Sequence, residues 1–530
     1  MKINLHENPR PLRVGDMALF ESKTVDHNEQ DNLARWILTQ EWFKPIAKAH
    51  RIDHLIRSNV ELSERCALAE LCWVVLQSEH DQIRKQGNYP DWMRFLPLEA
   101  SRRLEHLWVT GEGPDQYRIV PKVTYTGIGY VVFEGGLVEQ TDEFFGLGRL
   151  NFVAQLGFLH DPTMTENGWR ECPLPFPQTR YFHLLNTNAI ATLIGTQVDL
   201  SEEKLRVLRV AAQSHDALTP AGGDSIKGVD RAAFDEDMHY PELFERRGWK
   251  EFRDAFELSE AELAKTILGE GLLGSILDAS DKMAYVACDL SEFLMKNEFG
   301  RAAWQNFTGL YNRITRILAA NPYPCSVWEY AAVADGELFF TDANRLADFL
   351  RIRALMFSIL YNNASARFYE AGFTEEVVRD LYRRNVLTRE LLLKMTDRLL
   401  VDVIGQELGV TNYRHEVSLD GSETPRVLRF KTKQEATAME RQLAVKEPHT
   451  MTHYEHVAPP STKCLQTFKV LHEGKPKPFR LACPELAWDV EQISCDSHPH
   501  RVFAYDLGAL CKNAELANRL LQGRNARIAK

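Results

Sequence analysis

The sequence predicts a mainly α protein with a small N-terminal β element and an α+β C-terminal lobe. Three observations lead to that class. Apolar residues recur at helical spacing over Leu62–Gln77 and Pro97–Val109, and through most of 179–407. Two short runs rich in β-branched and aromatic residues, Tyr117–Val120 and Val123–Phe133, carry glycine turns and have strand character. Beyond about residue 412 the pattern becomes mixed: Val427-Leu-Arg-Phe-Lys and Leu465-Gln-Thr-Phe-Lys-Val-Leu read as strands, and helix returns at about Leu507–Leu521.

Taken in order, residues 30–110 read mostly as helix and 117–140 as short strands. A helical stretch follows from about Asp142 to Phe158, then a Pro-rich loop, Asp161–Gln178, with prolines at 162, 173, 175 and 177. Ser201-Glu-Glu-Lys opens the next helix with a serine cap and acids in its first turn, and Leu205, Leu208, Val210 and Ala212 continue its apolar face. Gly222-Gly223 marks a loop. Further helices are expected over about Leu272–Lys296 and within 343–405, and the polar stretch 446–463 is expected to be a mobile linker. The chain would then divide into an N-terminal helical region with a short β-hairpin (1–141), a helical core (142–410) and an α+β lobe (411–530).

With 530 residues, 44% of them apolar and 26% charged, the chain has the length of two to four domains and can bury a core without disulfide or metal staples. A formal charge of −11 is ill suited to coating a phosphate backbone, so no general nucleic-acid binding is expected; a local basic pocket for one small anion remains open. The nine cysteines form no CxxC pair and read as reduced thiols of a cytoplasmic protein. The opening residues lack the apolar stretch of a signal peptide, and no apolar run is long enough to span a membrane.

Two His-Asp dipeptides occur, and about one is expected by chance among 17 histidines. His160-Asp161 precedes Pro162 and reads as a helix end. His215-Asp216 closes an apolar helix, with His183 upstream in Arg180-Tyr-Phe-His and Asp281 downstream in Asp-Lys-Met-Ala-Tyr285. Two imidazoles and two carboxylates, from His183, His215, Asp216 and Asp281, would suit a divalent ion such as Mn, Fe, Zn, Ni or Co, and the sequence does not distinguish these from Mg.

The four motifs together resemble the HD superfamily of metal-dependent phosphohydrolases, and within it the deoxynucleoside-triphosphate triphosphohydrolases of the bacterial dGTPase and animal SAM-and-HD-domain types. Arg149-Leu-Asn-Phe-Val-Ala-Gln155-Leu-Gly157 is similar to that family's Arg-Leu-x4-Gln-Leu-Gly segment, and Arg180-x-x-His183 to its Arg-x-x-His. His215-Asp216-Ala-Leu-Thr-Pro220-Ala-Gly-Gly223-Asp224 resembles its His-Asp loop, and Asp281-Lys282-x-x-Tyr285-x-x-x-Asp289 its Asp-Lys-x-x-Tyr-x-x-x-Asp. The likeness covers about 145–290, extends weakly through Met395-Thr-Asp-Arg-Leu-Leu to about 410, and finds no SAM domain in 1–115.

The resemblance implies an HD-domain helical core and one divalent metal ion. Arg180 and Lys282 would lie on phosphate, Tyr285 against the sugar, and Asp289 and Gln155 at the 3′-hydroxyl. Arg180 and His183, at i and i+3, share a helical face, as do Asp281, Tyr285 and Asp289 at i, i+4 and i+8. Each has a plainer reading: Tyr285 as core packing, Asp289 as a solvated helix acid, Gln155 as an interhelical hydrogen bond. His239 is a further candidate near phosphate or a structural histidine, and Lys227, Arg345, Arg351 and Arg353 complete the basic residues a triphosphate would need.

The family's loop histidine is replaced by Asp224, and the glutamate of the bacterial enzymes three residues on by Lys227. Asp224 can serve as a general base and Lys227 as a phosphate ligand. Hydrolysis of a dNTP to deoxynucleoside and triphosphate is the reading most of the residues favour, in an enzyme that relatives suggest is a homo-oligomer. The alternatives are a phosphohydrolase acting on nucleoside monophosphates or cyclic nucleotides, and a nucleotide sensor with reduced catalysis. Two further histidines of a dinuclear site are not evident between 240 and 280, which favours a mononuclear one.

Overall fold

A computed structural model of the chain describes residues 44, 118–120, 131–133, 137–153, 179–295, 308–321, 324–362, 364–410, 426–457, 461–494, 496 and 498–529. The helices expected over 30–110, the Pro-rich loop, His160-Asp161 and Gln155 lie outside the described residues, apart from the single helical residue Lys44. By its contacts the chain divides into two units, Met1–Leu137 with Ile317–Ser326, and Val138–Arg316 with Val327–Lys530. In the first, β1 (Arg118–Val120) and β2 (Val131–Phe133) pair antiparallel, as the two strand-like runs require.

The second unit is mainly helical. It is centred on α2 (Arg180–Gln197), packed against α3 (Glu202–Ser214) and α4 (Gly271–Met295); α1 (Leu137–Phe145) precedes them in sequence. Thr179 caps α2 by accepting a hydrogen bond from the Phe182 amide at 3.1 Å. Nearly every side chain of α2 from Arg180 to Gly195 is buried, so this helix is the axis of the core rather than an amphipathic surface helix. Gly195 permits the close approach of α3, because a Cβ there would lie 2.8 Å from Leu205 Cδ1. Ser201 caps α3 as expected, and Leu205, Leu208, Val210 and Ala212 are all buried. Of the stretch expected as helix over Asp142–Phe158, the described part, 142–153, is the end of α1 followed by a 3-10 turn at Leu147–Phe152.

The long helical region is broken where continuous helix is expected. Strands β3 (Ala331–Ala334) and β4 (Glu337–Phe340) form an antiparallel hairpin before α5 (Ala343–Met356). Its two-residue turn, Asp335-Gly336, has both residues at positive φ (53° and 75°), the geometry that matches the twist of paired strands. The chain then continues as helix through α6 (Glu375–Arg383) and α7 (Asp397–Leu408).

The C-terminal part is α+β. Strands β5 (Arg426–Phe430), β6 (Thr450–His456) and β9 (His500–Asp506) form an antiparallel sheet in the order β5-β9-β6. A second sheet adds β7 (Lys469–His472) and β8 (Lys475–Pro478) to β3 and β4. The sheet-forming period of two is visible in β9. Val502 and Ala504 face α8 (Lys433–Lys446), where they pack with Ala436 and Leu443. Phe503 and Tyr505 face the other way, into a core with Phe368, Phe373, Val377 and Leu381. Two expectations are corrected. The supposed linker 446–463 contains β6, paired along its length with β9. Of the run expected as a strand, Leu465–Leu471, the first part belongs to the helix α9 (Ser461–Thr467), which buries Cys464 and Leu465 together with Phe468 just beyond it, and only Lys469–Leu471 is strand, in β7.

Candidate metal centre

His183 sits in the first turn of α2, His215 at the C-terminal end of α3, and Asp281 midway along α4. These three elements bring one ligand atom from each residue to within 4.8 Å of the others. His183 Nε2 lies 2.9 Å from Asp281 Oδ1, and His215 Nε2 lies 3.8 Å from the same oxygen. The Nδ1 of His215 is 3.0 Å from the Ala212 carbonyl, a contact that fixes Nδ1 as the protonated nitrogen and leaves the Nε2 lone pair facing the cluster. His215 Nε2 is buried and has no hydrogen-bond partner. A buried imidazole acceptor aimed at a carboxylate-bearing cluster fits a divalent cation.

The charges agree. Burial opposes the imidazolium form of His215, but Asp216 and Asp281 outweigh it and push the group up to about 9, so that a cation held here takes the place of the Nε2 proton. Burial likewise opposes the ionised form of Asp281, and the two histidines overcome it, holding its carboxyl well below the usual range. The pocket therefore favours positive charge at its centre.

Asp216, the fourth expected ligand, stands beside the trio rather than in it. Its Oδ2 accepts from Arg180 Nη1 at 2.8 Å, and its Oδ1 is 3.8 Å from His215 Nε2. From Asp216 a run of alternating charges leads away. Arg180, 4% exposed, also meets Asp224 at 2.9 Å through Nη2. Asp224 meets Lys227 at 3.0 Å, and Lys227 meets the buried Glu236 at 2.6 Å. Glu236 in turn accepts from Thr219 Oγ1 at 3.1 Å.

This run makes Asp224, expected as a base, an ion-pair partner of two cations. Burial would raise its carboxyl, but the Arg180 guanidinium and Lys227 ammonium outweigh burial and hold it below the ordinary carboxylate range. A carboxylate fixed between two cations is a weak proton acceptor at neutral pH.

The loop between His215 and Asp224 is built to hold this ionic clasp. Gly222 and Gly223 adopt φ of 84° and 55°, which side chains with a Cβ rarely adopt. The Gly222 amide donates to Asp397 Oδ1 at 2.7 Å. Arg149 ties the Thr219 carbonyl (2.5 Å) to the Met395 carbonyl (3.1 Å). The flanking segments of the sequence resemblance therefore act as the loop's anchors.

The remaining candidates divide. Tyr285 Oη accepts from Arg353 Nε at 2.6 Å, and Asp289 accepts a hydrogen bond from Tyr361. These four form a polar cluster further along α4, with Tyr285 half-buried and Asp289 fully buried. Asp289 is therefore not a solvated helix acid. Lys282 is buried but turns to Asp278, one turn back on α4. His239 is not brought into the cluster: its ring nitrogens reach Glu242 at 2.6 Å and the Ala232 carbonyl at 2.7 Å. Arg351 pairs with Asp348 and Asp489 instead of a phosphate site, and Arg345 stands near Glu329.

Sequence reasoning missed Glu236, Asp237 and Tyr361. Asp237 is near enough to His215 and Asp216 to feel both charges. The acidic triplet Asp235-Glu236-Asp237 was the available signal, and it looks like an ordinary helix start because Asp235 also caps the short helix that follows.

No protein-family model and no curated protein matches the chain. Its fold is nevertheless shared by solved structures. A phosphohydrolase from Bacteroides thetaiotaomicron superposes over 73% of this chain and 99% of its own, with a TM-score of 0.51 and 12% identity. A hypothetical protein from Aquifex aeolicus superposes over 76% of this chain and 100% of its own, with a TM-score of 0.50 and 13% identity. At such identities the likeness establishes the fold alone. Among the described residues no helix is long and apolar enough to cross a membrane.

Proposed function

We propose that this chain is a metal-dependent phosphohydrolase that cleaves deoxynucleoside triphosphates to deoxynucleoside and triphosphate. The observation that carries the reading is the His183, His215 and Asp281 cluster, with a buried, unpartnered His215 nitrogen facing it. A phosphohydrolase with the same fold supports the reaction class. A divalent ion held by these three residues supplies Lewis acidity toward a phosphoryl oxygen and toward water.

The residues around it supply binding and order. Arg180, next to the cluster and with its buried Nε unpartnered, is placed to take a phosphoryl oxygen. Lys227 adds a second cation on the same run. Glu236 and Asp224 hold both cations in place, so little reorganisation is needed when an anion arrives. Further along α4, Tyr285 and Asp289 offer a ring edge and a buried carboxylate to a sugar, with Arg353 and Tyr361 fixing them. Lys282 reaches phosphate only by leaving Asp278. The paired state of Asp224 favours a second reading, a nucleotide sensor with reduced turnover.

A screen of four dNTPs and four rNTPs with Mn²⁺, Mg²⁺ and Co²⁺, with products separated by anion exchange, tests both. Triphosphate released from a dNTP supports the first reading. Inorganic phosphate from a monophosphate or cyclic nucleotide would replace it with a different phosphohydrolase. Tight binding without products would favour the sensor.

A further inference from the structure

The short helix Asp224–Lys227, which carries the ionic clasp, is tied at both ends to one strand of the C-terminal sheet. At its start, Ser225 Oγ donates to Glu370 Oε1 at 2.7 Å. Glu370 accepts from Arg367, and Arg367 Nε donates to Glu455 of β6 at 2.6 Å. At its end, the Gly228 carbonyl accepts from Arg379 Nη2 at 2.8 Å. Arg379 Nη1 donates to Glu376 at 2.8 Å, and the same Glu376 oxygen receives His453 Nδ1 of β6 at 2.8 Å. His453 and Glu455 are two residues apart, so they leave the same face of the strand.

The acidic groups and the histidine of the two arms are buried, while Arg367 and Arg379 are partly exposed. Glu370, Glu376, His453 and Glu455 are each at most 9% exposed. Ion pairs in such surroundings are screened little and hold a defined geometry. The loop also packs directly on α6: a Cβ at Gly228 would lie 2.2 Å from Glu375 Oε2, and Glu375 is held by Arg379. Residue 228 has an ordinary negative φ, so glycine serves close approach here rather than turn geometry. The helix between the arms widens to π geometry over Phe368–Thr374, a departure often found at functional positions.

We infer that strand β6 positions the phosphate-binding clasp, with Glu370 and Arg379 as the positioning residues that transmit its placement to Ser225 and Gly228. A one-residue shift of β6 against β9 would turn His453 and Glu455 to the opposite face and release both ends of the helix. The C-terminal lobe is thus part of the site's framework. The inference rests on the proposed function only for the word phosphate; the coupling itself is independent of any reaction.

The test is hydrogen exchange on the full chain, comparing the parent with Glu370→Gln and with the milder Glu455→Gln. The amides of Ile226 and Val229 are protected by hydrogen bonds within the loop, to Gly223 and Ile226 carbonyls. If β6 holds the clasp, exchange over 222–229 rises about tenfold in both variants, while 184–194 in α2 is unchanged. Exchange that rises only near 367–370 and 453–456, with 222–229 as in the parent, overturns the coupling. Where a dNTP is hydrolysed, the variants should raise KM about tenfold with kcat within about twofold. Glu370→Gln, which keeps an acceptor for Ser225, should recover part of what Glu370→Ala loses. A fall in kcat at constant KM also counts against positioning. A parent that hydrolyses nothing refutes the phosphohydrolase reading and leaves the exchange result to decide the coupling.

Discussion

Replacing Asp224 by Asn removes one negative charge and leaves shape and hydrogen bonding nearly intact. If Asp224 were the general base, the rate would fall by roughly two to four orders of magnitude with little change in KM. The structure leads elsewhere. Asp224 makes two ion pairs, at 2.9 Å to Arg180 and 3.0 Å to Lys227, and its side chain is 57% exposed on the far side. Solvent screens such pairs, so each contributes about 0.5–1 kcal/mol. Losing both loosens Arg180 and Lys227 by about 1–2 kcal/mol together, which corresponds to roughly a 5- to 30-fold rise in KM. Arg180 keeps Asp216, and Lys227 keeps Glu236, so both cations stay near the site and kcat should change by less than about fivefold. Steady-state kinetics of Asp224→Asn on the best dNTP, at saturating metal, separate the two cases. A hundredfold loss in kcat at unchanged KM would refute the clasp and restore the base.

Three further outcomes follow from particular contacts. Burial raises the Glu376 carboxyl, but His453, Arg527 and Arg379 outweigh it and hold it far below its usual 4.5, so its stabilisation is complete above about pH 4.5 and is lost as the pH falls below that. Glu376→Gln should therefore cost about 3 kcal/mol at pH 7, with the gap to the parent narrowing steadily as the pH falls below 4.5 and part of it still present at pH 3 in denaturant titrations; a gap that widens on acidification contradicts the assignment. Asp397→Ala leaves the Gly222 amide without its acceptor and should lower unfolding stability by about 1–3 kcal/mol, and a change below about 0.5 kcal/mol would show that the loop is held by other contacts. Tyr285→Ala should admit rNTPs if the ring packs against the sugar, raising the rNTP-to-dNTP ratio of kcat/KM with bound metal unchanged, whereas a constant ratio makes Tyr285 only a partner of Arg353.

Much of the fold could be read from local pattern because the core helices carry local signals. Ser201 and Thr179 cap α3 and α2, and the apolar face of α3 follows the helical period. The hairpin at 331–340 was also written in the sequence, as Asp335-Gly336 between apolar runs, but its strands are only four residues each and lie among long helices. Strand β6, Thr-Met-Thr-His-Tyr-Glu-His, was hidden by its polarity. Its histidine and glutamate are buried by ion pairs with Glu376 and Arg367, so its inner face does not look apolar. The same physics decided what could be seen of the site. Spacing within a helix placed Arg180 with His183 and, at the same i and i+3 step, allows Asp224 to meet Lys227, yet no spacing rule joins that pair to Arg180 or to Glu236 on separate helices. Whether a carboxylate is a base or a clasp depends on which cations face it, and that is fixed only by tertiary packing.

The central claim is that His183, His215 and Asp281 hold a divalent metal ion. Metal content by mass spectrometry, with Mn²⁺ titration by calorimetry, measures it directly on the parent, His215→Ala and Asp281→Asn, each checked for retained helicity by circular dichroism. The parent should hold about one ion per chain, and each variant, still folded, should hold little and bind Mn²⁺ at least about a hundredfold more weakly. Folded variants that keep the parent's metal content and affinity would contradict the claim, because the ion would then be bound by other residues.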